Sequence, residues 1–282
     1  MRVHCFITIN HQQVQQEERS MSTSKSSLLA HAVALTVIAI MCNGASNFRD
    51  VTDALAFYGV YHRHPINQVI HFFGVPAIIW STILFLAHLK LPFLPSSVVM
   101  KIPFSPIHSP TYATVVVIGY ILFYTYLDTF GGLMFAPFMY LQYITAVSCQ
   151  MEDQLKAKKT SAKMEKKKND DAATTPNLKN RSSSSSSWAG TGRALKLAFW
   201  VHLLGWYVQI HPGHGVFEGA KPAVLQSIGG ALTSAPLFAY YEGLWFLGLN
   251  KDLQLETKAL VDVYTKKLCD GGTVMRACAD YN

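Results

Sequence analysis

Two stretches of this chain concentrate side chains able to hold a metal ion or move a proton. The first, Tyr61-His62-Arg63-His64-Pro65-Ile66-Asn67-Gln68-Val69-Ile70-His71, sets three imidazoles and an amide at the edge of a long apolar segment. The second, Trp206-Tyr207-Val208-Gln209-Ile210-His211-Pro212-Gly213-His214-Gly215-Val216-Phe217-Glu218, again places imidazoles where an apolar segment ends, with His202 further inside it. Imidazoles in such a place ligate a transition metal, shuttle protons or hydrogen-bond to a neighbouring helix. His64, Asn67 and His71 are spaced by three and four residues and share one helical face, and His202 and Trp206 stand one turn apart. A site built from the two segment ends collects three or four imidazoles, with Asn67, Gln209 and Glu218 as outer partners. No cysteine is placed to add a thiolate, and all-imidazole coordination suits zinc, iron, copper or nickel. Hydrolytic zinc wants a carboxylate base, for which Glu218 is the close candidate, whereas oxygen-activating iron needs open coordination positions. Spacing does not choose between these, and a structural polar network or a proton or solute pathway stays open as well. His4, His11, His31, His88 and His108 read as isolated polar groups.

The elements that must position these residues follow from composition. Half of the 282 residues are hydrophobic and 15% are charged, against roughly 25% charged in soluble proteins. The apolar residues fall in runs, and the charges gather at the ends and over residues 150–193. This predicts an all-α, multi-pass helical membrane bundle of four to five spans with a disordered polar insertion. Residues 1–47 form a poorly structured extension containing a signal-like or anchor segment over 28–42. Residues 48–149 make the first half of the membrane domain. A Lys/Ser-rich low-complexity linker covers 150–193, the second half of the domain covers 194–250, and a cytoplasmic tail covers 251–282. Residues 48–61 read as a helix lying at the membrane surface. His64 caps the next helix, because Pro65 suits a first turn and no deeper position. Spans follow at about 65–89, 110–127, 130–148, 194–210 and 223–249. Glu242, inside the last of these, is costly there unless paired.

Positive charge favours the cytoplasmic side. With the lysine-rich linker assigned there, counting spans puts Lys90, Lys101 and the tail on the same side and brings both histidine clusters together on the opposite face. The net charge of +7 comes largely from that linker and the tail. It lacks the aromatic platform of a nucleic-acid binder, so no nucleic-acid partner is expected, and no protein partner is indicated. Gly213-His214-Gly215 is too short for a phosphate loop and has no preceding strand. The five cysteines have no paired or metal-type spacing, and no disulfide framework is expected.

At these residues the chain resembles the small eukaryotic and bacterial membrane proteins related to the yeast endoplasmic-reticulum 2-hydroxy fatty acid dioxygenase. The likeness rests on Phe57-Tyr58-Gly59-Val60-Tyr61-His62, then Pro65, Asn67 and His71 followed by Val75-Pro76. It continues with Trp206-x-x-Gln209 leading into Gly213-His214-Gly215-Val216-Phe217-Glu218 and Lys221-Pro222-Ala223. It covers residues 48–150 and 194–250. The resemblance implies a multi-pass protein of the endoplasmic reticulum membrane that uses Fe(2+) and dioxygen to shorten a 2-hydroxy fatty acid by one carbon with release of carbon dioxide, in sphingoid-base and fatty acid catabolism. By position it implies His62, His71 and His214 as metal ligands, together with His202. Asn67, Trp206, Gln209, His211, Glu218 and Lys221 become outer-shell or substrate contacts, with Lys221 or Arg63 placed to steady a substrate carboxylate. The chain departs from the family in two ways. The step from Gln209 to His214 is one residue longer, which leaves His211 and His214 as alternatives for the inward imidazole, and the lysine/serine insertion replaces a short loop. A zinc-dependent membrane lipid hydrolase and a non-enzymatic scaffold or transporter are the competing readings.

Overall fold

The structure is a computed structural model that describes residues 28, 31–36, 38–40, 42–44, 48–91, 94, 99, 103, 108–174, 192–273 and 276–280, with backbone alone for 167–174 and 280. Among the described residues it is helical throughout, apart from turns and an isolated antiparallel bridge between Lys90 and Thr111. Residues 1–40 form a unit of their own. In it the described part of the apolar run is helical, whereas the polar lead-in over 1–27 lies outside the described residues. Residues 41–282 form the second unit, which carries both histidine clusters.

Helix α1 (Val51–Gly59) starts at Asp50, whose carboxylate caps it by accepting from the Asp53 backbone N–H at 2.8 Å. Ala54, Leu55 and Ala56 are fully buried. The expected surface-lying helix is therefore an interior one, because the last helices of the chain cover the side that periodicity alone left open. Helix α2 (Pro65–Ala87) begins as expected, with Pro65 in the first turn and His64 as N-cap, its ring accepting from the Ile66 N–H at 3.2 Å. Helices α3 (Tyr112–Leu127) and α4 (Thr129–Thr174) meet at Asp128. A Cβ on Gly132 would lie 2.3 Å from the Thr125 nitrogen, so that tight turn requires glycine.

Helix α4 overruns the predicted linker, continuing through Lys156–Lys168 to Thr174. Lysine, alanine, methionine and glutamate all favour helix, and Glu152 pairs with Lys156 one turn on at 3.1 Å. Lack of apolar surface prevents this stretch from forming a core but does not prevent a helix from propagating into it. Residues 175–191, including the serine run, lie outside the described residues. Helix α5 (Gly192–Val208) passes without a break into a π-helix (Gln209–Glu218), and a 3-10 turn (Ala223–Leu225) leads to α6 (Ile228–Phe246) and α7 (Lys251–Asp270).

Helices α2 to α5 form an antiparallel bundle. Trp80 on α2 donates to Thr145 on α4 at 3.1 Å, and Ser81 meets His202 on α5 at 3.0 Å. Asp153 on α4 accepts the Ala194 N–H at the start of α5 at 3.3 Å. The start of α2 and the end of α5 thus share one end of the bundle, as span parity requires. The tail breaks the same rule. Gln68 in the first turn of α2 donates to Glu242 near the end of α6 at 3.2 Å, and Arg63 meets Thr265 at 3.1 Å and Asp262 at 3.0 Å on α7. The C-terminal segment therefore lies at the histidine end and not opposite it.

Two helices, Pro65–Ala87 and Thr129–Lys166, are long and apolar enough to cross a bilayer. The other expected spans are shorter. Helix α3 is apolar but 16 residues long, against roughly 20 for a full crossing, and α5 has 17 residues before its π-helical extension. Apolar side chains cover the outside: Phe73, Leu122, Phe130, Leu141, Trp200 and Leu204 are all more than half exposed.

A candidate metal centre

The chain places His62 just before α2, His71 in its second turn and His214 in the π-helix, and all three are buried. One nitrogen from each ring lies within 4.8 Å of the others, and the ring centroids are 4.2, 4.7 and 4.9 Å apart. Backbone carbonyls orient two of the rings. His62 Nδ1 stands 2.7 Å from the Tyr58 carbonyl oxygen and His71 Nδ1 stands 2.9 Å from that of Asn67. A carbonyl oxygen only accepts, so in each ring Nδ1 carries the hydrogen and Nε2 keeps its lone pair. Both carbonyls lie four residues before their histidine.

His62 Nε2 and His214 Nδ1 are buried without a hydrogen-bond partner. Buried polar atoms are rarely left so, and unpartnered ring nitrogens converging from three imidazoles fit a metal ion. Burial, with His71 and His214 nearby, holds His62 well below the ordinary imidazole range. Burial and His71 push His214 down to about 3. Proton competition with a metal for these nitrogens would therefore be weak near neutral pH.

The amide and carboxylate expected around the histidines tie the two segments together. Glu218 accepts the backbone N–H of Arg63 and that of His64, each at 2.9 Å, and the Asn67 side-chain amide at 3.0 Å. Gln209 donates to the Gly205 carbonyl at 3.0 Å and packs where a Cβ on Gly74 would stand. A Cβ on Gly213 would lie 2.5 Å from Asn67 Oδ1, so glycine there lets the π-helix close on α2.

Other expected residues stand elsewhere. His214, not His211, turns inward; His211 is exposed and stacks on Tyr207 at 5.5 Å. His202 is not brought to the trio. Its Nδ1 meets Ser81 and its Nε2 accepts from the Trp206 indole at 3.0 Å. Ser81 lies ten residues beyond His71 on the same helix, a rise of about 15 Å. Trp206 thus positions His202 and not the metal candidates, and Lys221 is exposed. Glu242 finds its partner in Gln68, which also donates to the His62 carbonyl at 2.9 Å.

Sequence reasoning passed over Tyr58, which stacks on His62 at 3.9 Å with rings 8° from parallel, and Phe238, 5.6 Å from the same ring. Tyr58 carried a usable signal, since it precedes His62 by the same four residues that separate Asn67 from His71. Phe238 carried none, being one of many aromatics in apolar helices.

No curated protein and no solved structure matches the chain. The family described as 2-hydroxy-palmitic acid dioxygenase Mpo1-like matches residues 48–244, a region that contains all three converging histidines, both orienting carbonyls and Glu218. The chain accordingly belongs to the Mpo1-like family of 2-hydroxy-palmitic acid dioxygenases.

Proposed function

We propose that the protein is an iron(II)-dependent dioxygenase of the endoplasmic reticulum membrane that performs α-oxidation of 2-hydroxy fatty acids. The observation that carries this reading is the buried, carboxylate-free trio of His62, His71 and His214 in a chain of this family. Three neutral imidazoles hold a divalent ion without cancelling its charge and leave coordination positions open, which suits an anionic chelating substrate such as a 2-hydroxy acid. Iron(II) bound there would supply the dioxygen chemistry. The overall reaction balances without another reductant: a 2-hydroxy acid and one dioxygen give the acid one carbon shorter, carbon dioxide and water.

The chain's own residues orient and shield. Tyr58 and Asn67 fix the tautomers of His62 and His71 through their carbonyls. Glu218 and Gly213 lock the π-helix against α2, and Tyr58 and Phe238 keep water from the His62 face. The acyl chain would lie along the apolar exterior or in the bilayer, where each methylene contributes roughly 0.8 kcal/mol.

Glu218 weighs against zinc hydrolysis. Its two oxygens already take three N–H donors, so this carboxylate, four residues beyond His214, is occupied as a brace. Two features at opposite ends of the bundle support a lumenal placement of the histidine end. The lysines of the extended α4 favour the cytoplasm, and a disulfide, Cys269–Cys278, at the histidine end favours an oxidising lumen. The test is incubation of purified iron-loaded protein with 2-hydroxypalmitate in air and without oxygen. Oxygen-dependent formation of pentadecanoate and carbon dioxide is expected; an iron-loaded protein that leaves the substrate intact, or turnover without oxygen, refutes the proposal.

A further inference from the structure

The π-helix that carries His214 ends at Gly219, whose backbone adopts a left-handed conformation with φ of 64°. Its N–H donates to the His214 carbonyl at 2.9 Å. A helix end of this kind leaves its last carbonyls without partners inside the helix. Two of them, Phe217 and Val216, accept from the guanidinium of Arg276, at 2.8 and 3.4 Å. A cation is also the favoured charge at a helix C-terminus. The fit is close: a Cβ on Gly219 would stand 3.0 to 3.2 Å from guanidinium atoms of Arg276.

Arg276 is itself held. It sits in a short 3-10 turn (Arg276–Asp280) whose Cys278 is bonded to Cys269 near the end of α7. Helix α7 is fixed to the approach to α2 by Arg63, which meets Thr265 and Asp262. The strap thus runs from the His62 side of the centre, along α7, through the disulfide, to the carbonyls two and three residues beyond His214. Arg276 and both cysteines lie outside residues 48–244, so this brace is not part of the matched family region.

We infer that Arg276, placed by the Cys269–Cys278 bridge, is a positioning residue for His214: it fixes the C-terminal end of the π-helix and so holds the third imidazole against His62 and His71. This rests on the metal-centre reading only for its effect on metal affinity; the bracing of the π-helix stands without it. The brace is sensitive to a thiol reductant, because two thiols reduce the disulfide to two cysteines and are themselves oxidised to a disulfide, which releases the Arg276 turn from α7.

The experiment compares the full-length protein with Arg276→Ala, Arg276→Lys and the Cys269→Ser/Cys278→Ser double variant in detergent or nanodiscs. Hydrogen exchange is read over residues 209–219 in metal-free protein, and iron(II) and zinc(II) titrations are read by calorimetry. Arg276→Ala and the double variant should each speed exchange at the end of the π-helix by about 10-fold, since charge-assisted hydrogen bonds are lost there. Exchange in the middle of α2 should stay unchanged. Metal affinity should fall by about 10-fold in parallel, Arg276→Lys should be intermediate, and dithiothreitol on the wild type should reproduce the double variant. Unchanged exchange over residues 209–219 in both Arg276→Ala and the double variant overturns the inference, whatever the metal does. Faster exchange in both variants, together with a wild type that takes up no metal, upholds the brace and removes the iron reading instead.

Discussion

Glu218 accepts the Asn67 side-chain amide at 3.0 Å across 151 residues of sequence, and that bond joins the two halves of the candidate metal centre. The same carboxylate takes two backbone N–H groups at the entry to α2. Glu218→Ala takes the carboxylate acceptor from one buried and two part-buried donors and should cost about 1–3 kcal/mol. Glu218→Gln keeps one good acceptor and turns an amide toward donors, so it should fall between wild type and alanine. Chemical denaturation gives the stability order, and metal titration should follow it; an alanine variant as stable as wild type contradicts the bracing role.

The trio and His202 separate by substitution. Alanine at His62, His71 or His214 removes a ring with a converging nitrogen, and each should weaken metal binding by more than the ~10–100-fold typical of losing an outer partner. His202→Phe removes the link between Ser81 and Trp206 and should cost about 1 kcal/mol of stability while leaving metal affinity alone. Metal analysis of the four purified variants decides it, and a His202 variant that loses metal as the others do would place His202 in the centre.

Chelator treatment should lower the midpoint of thermal unfolding, because a ligand that binds the folded chain alone stabilises it by mass action. The drop should be present in wild type and absent in His71→Ala. Equal midpoints with and without chelator in wild type would argue that the buried trio holds no metal.

Local spacing and span parity carried much of this architecture. His64 as a cap before Pro65, the antiparallel α2 to α5 bundle and the meeting of the two histidine clusters were legible because each depends on short-range periodicity or on counting helices, whereas periodicity groups His64 with His71 and the choice of His62, His71 and His214 is what the resemblance implies. His202 was misread because a helical face gives direction around an axis but not depth along it, and ten residues of rise separate Ser81 from His71. The tail was misread for a different reason. Its lysines argued for the side of the membrane that holds the linker, but α7 is anchored by Arg63 and the Asp53–Tyr264 pair, contacts between residues some two hundred positions apart. Cys269 and Cys278 are paired through a turn at the end of α7, which cysteine count alone does not reveal. The lysine-rich stretch after Cys149 had the composition of a linker and also the propensities of a helix, and a preceding helix supplied the nucleus.

Glycine at 213 and glycine at 215 make an internal comparison within one π-helix. A Cβ at 213 meets Asn67 Oδ1 at 2.5 Å and the His71 ring at 3.5 Å, whereas at 215 the nearest atom is the Ile210 carbonyl at an ordinary 3.5 Å. Gly213→Ala should destabilise by about 1–3 kcal/mol, as overpacking does, and should loosen metal binding by pushing the π-helix off α2. Gly215→Ala should leave metal affinity near wild type. Equal metal affinities for the two variants would mean that the close approach at 213 is not what sets the position of His214.

The docking of α7 onto α1 gives a pH dependence with a definite sign. The Tyr264 hydroxyl donates to Asp53, and that hydrogen bond, followed by burial and the charge of Asp53, raises the phenol above its ordinary value. A raised acid contributes stability that is fully present below its unfolded pKa, about 10, and is lost as pH climbs through the higher folded value. The wild type should therefore lose stability on passing from pH 9 into the range above roughly 10, with α7 the first helix to show faster proteolysis. Tyr264→Phe removes the donor and leaves the Asp53 carboxylate less satisfied, so it should be less stable at neutral pH and show a shallower alkaline loss. Arg49, which meets the other Asp53 oxygen at 3.5 Å, stays charged over the same range and does not account for it. Parallel alkaline profiles for wild type and Tyr264→Phe would show that this hydroxyl does not hold α7 in place.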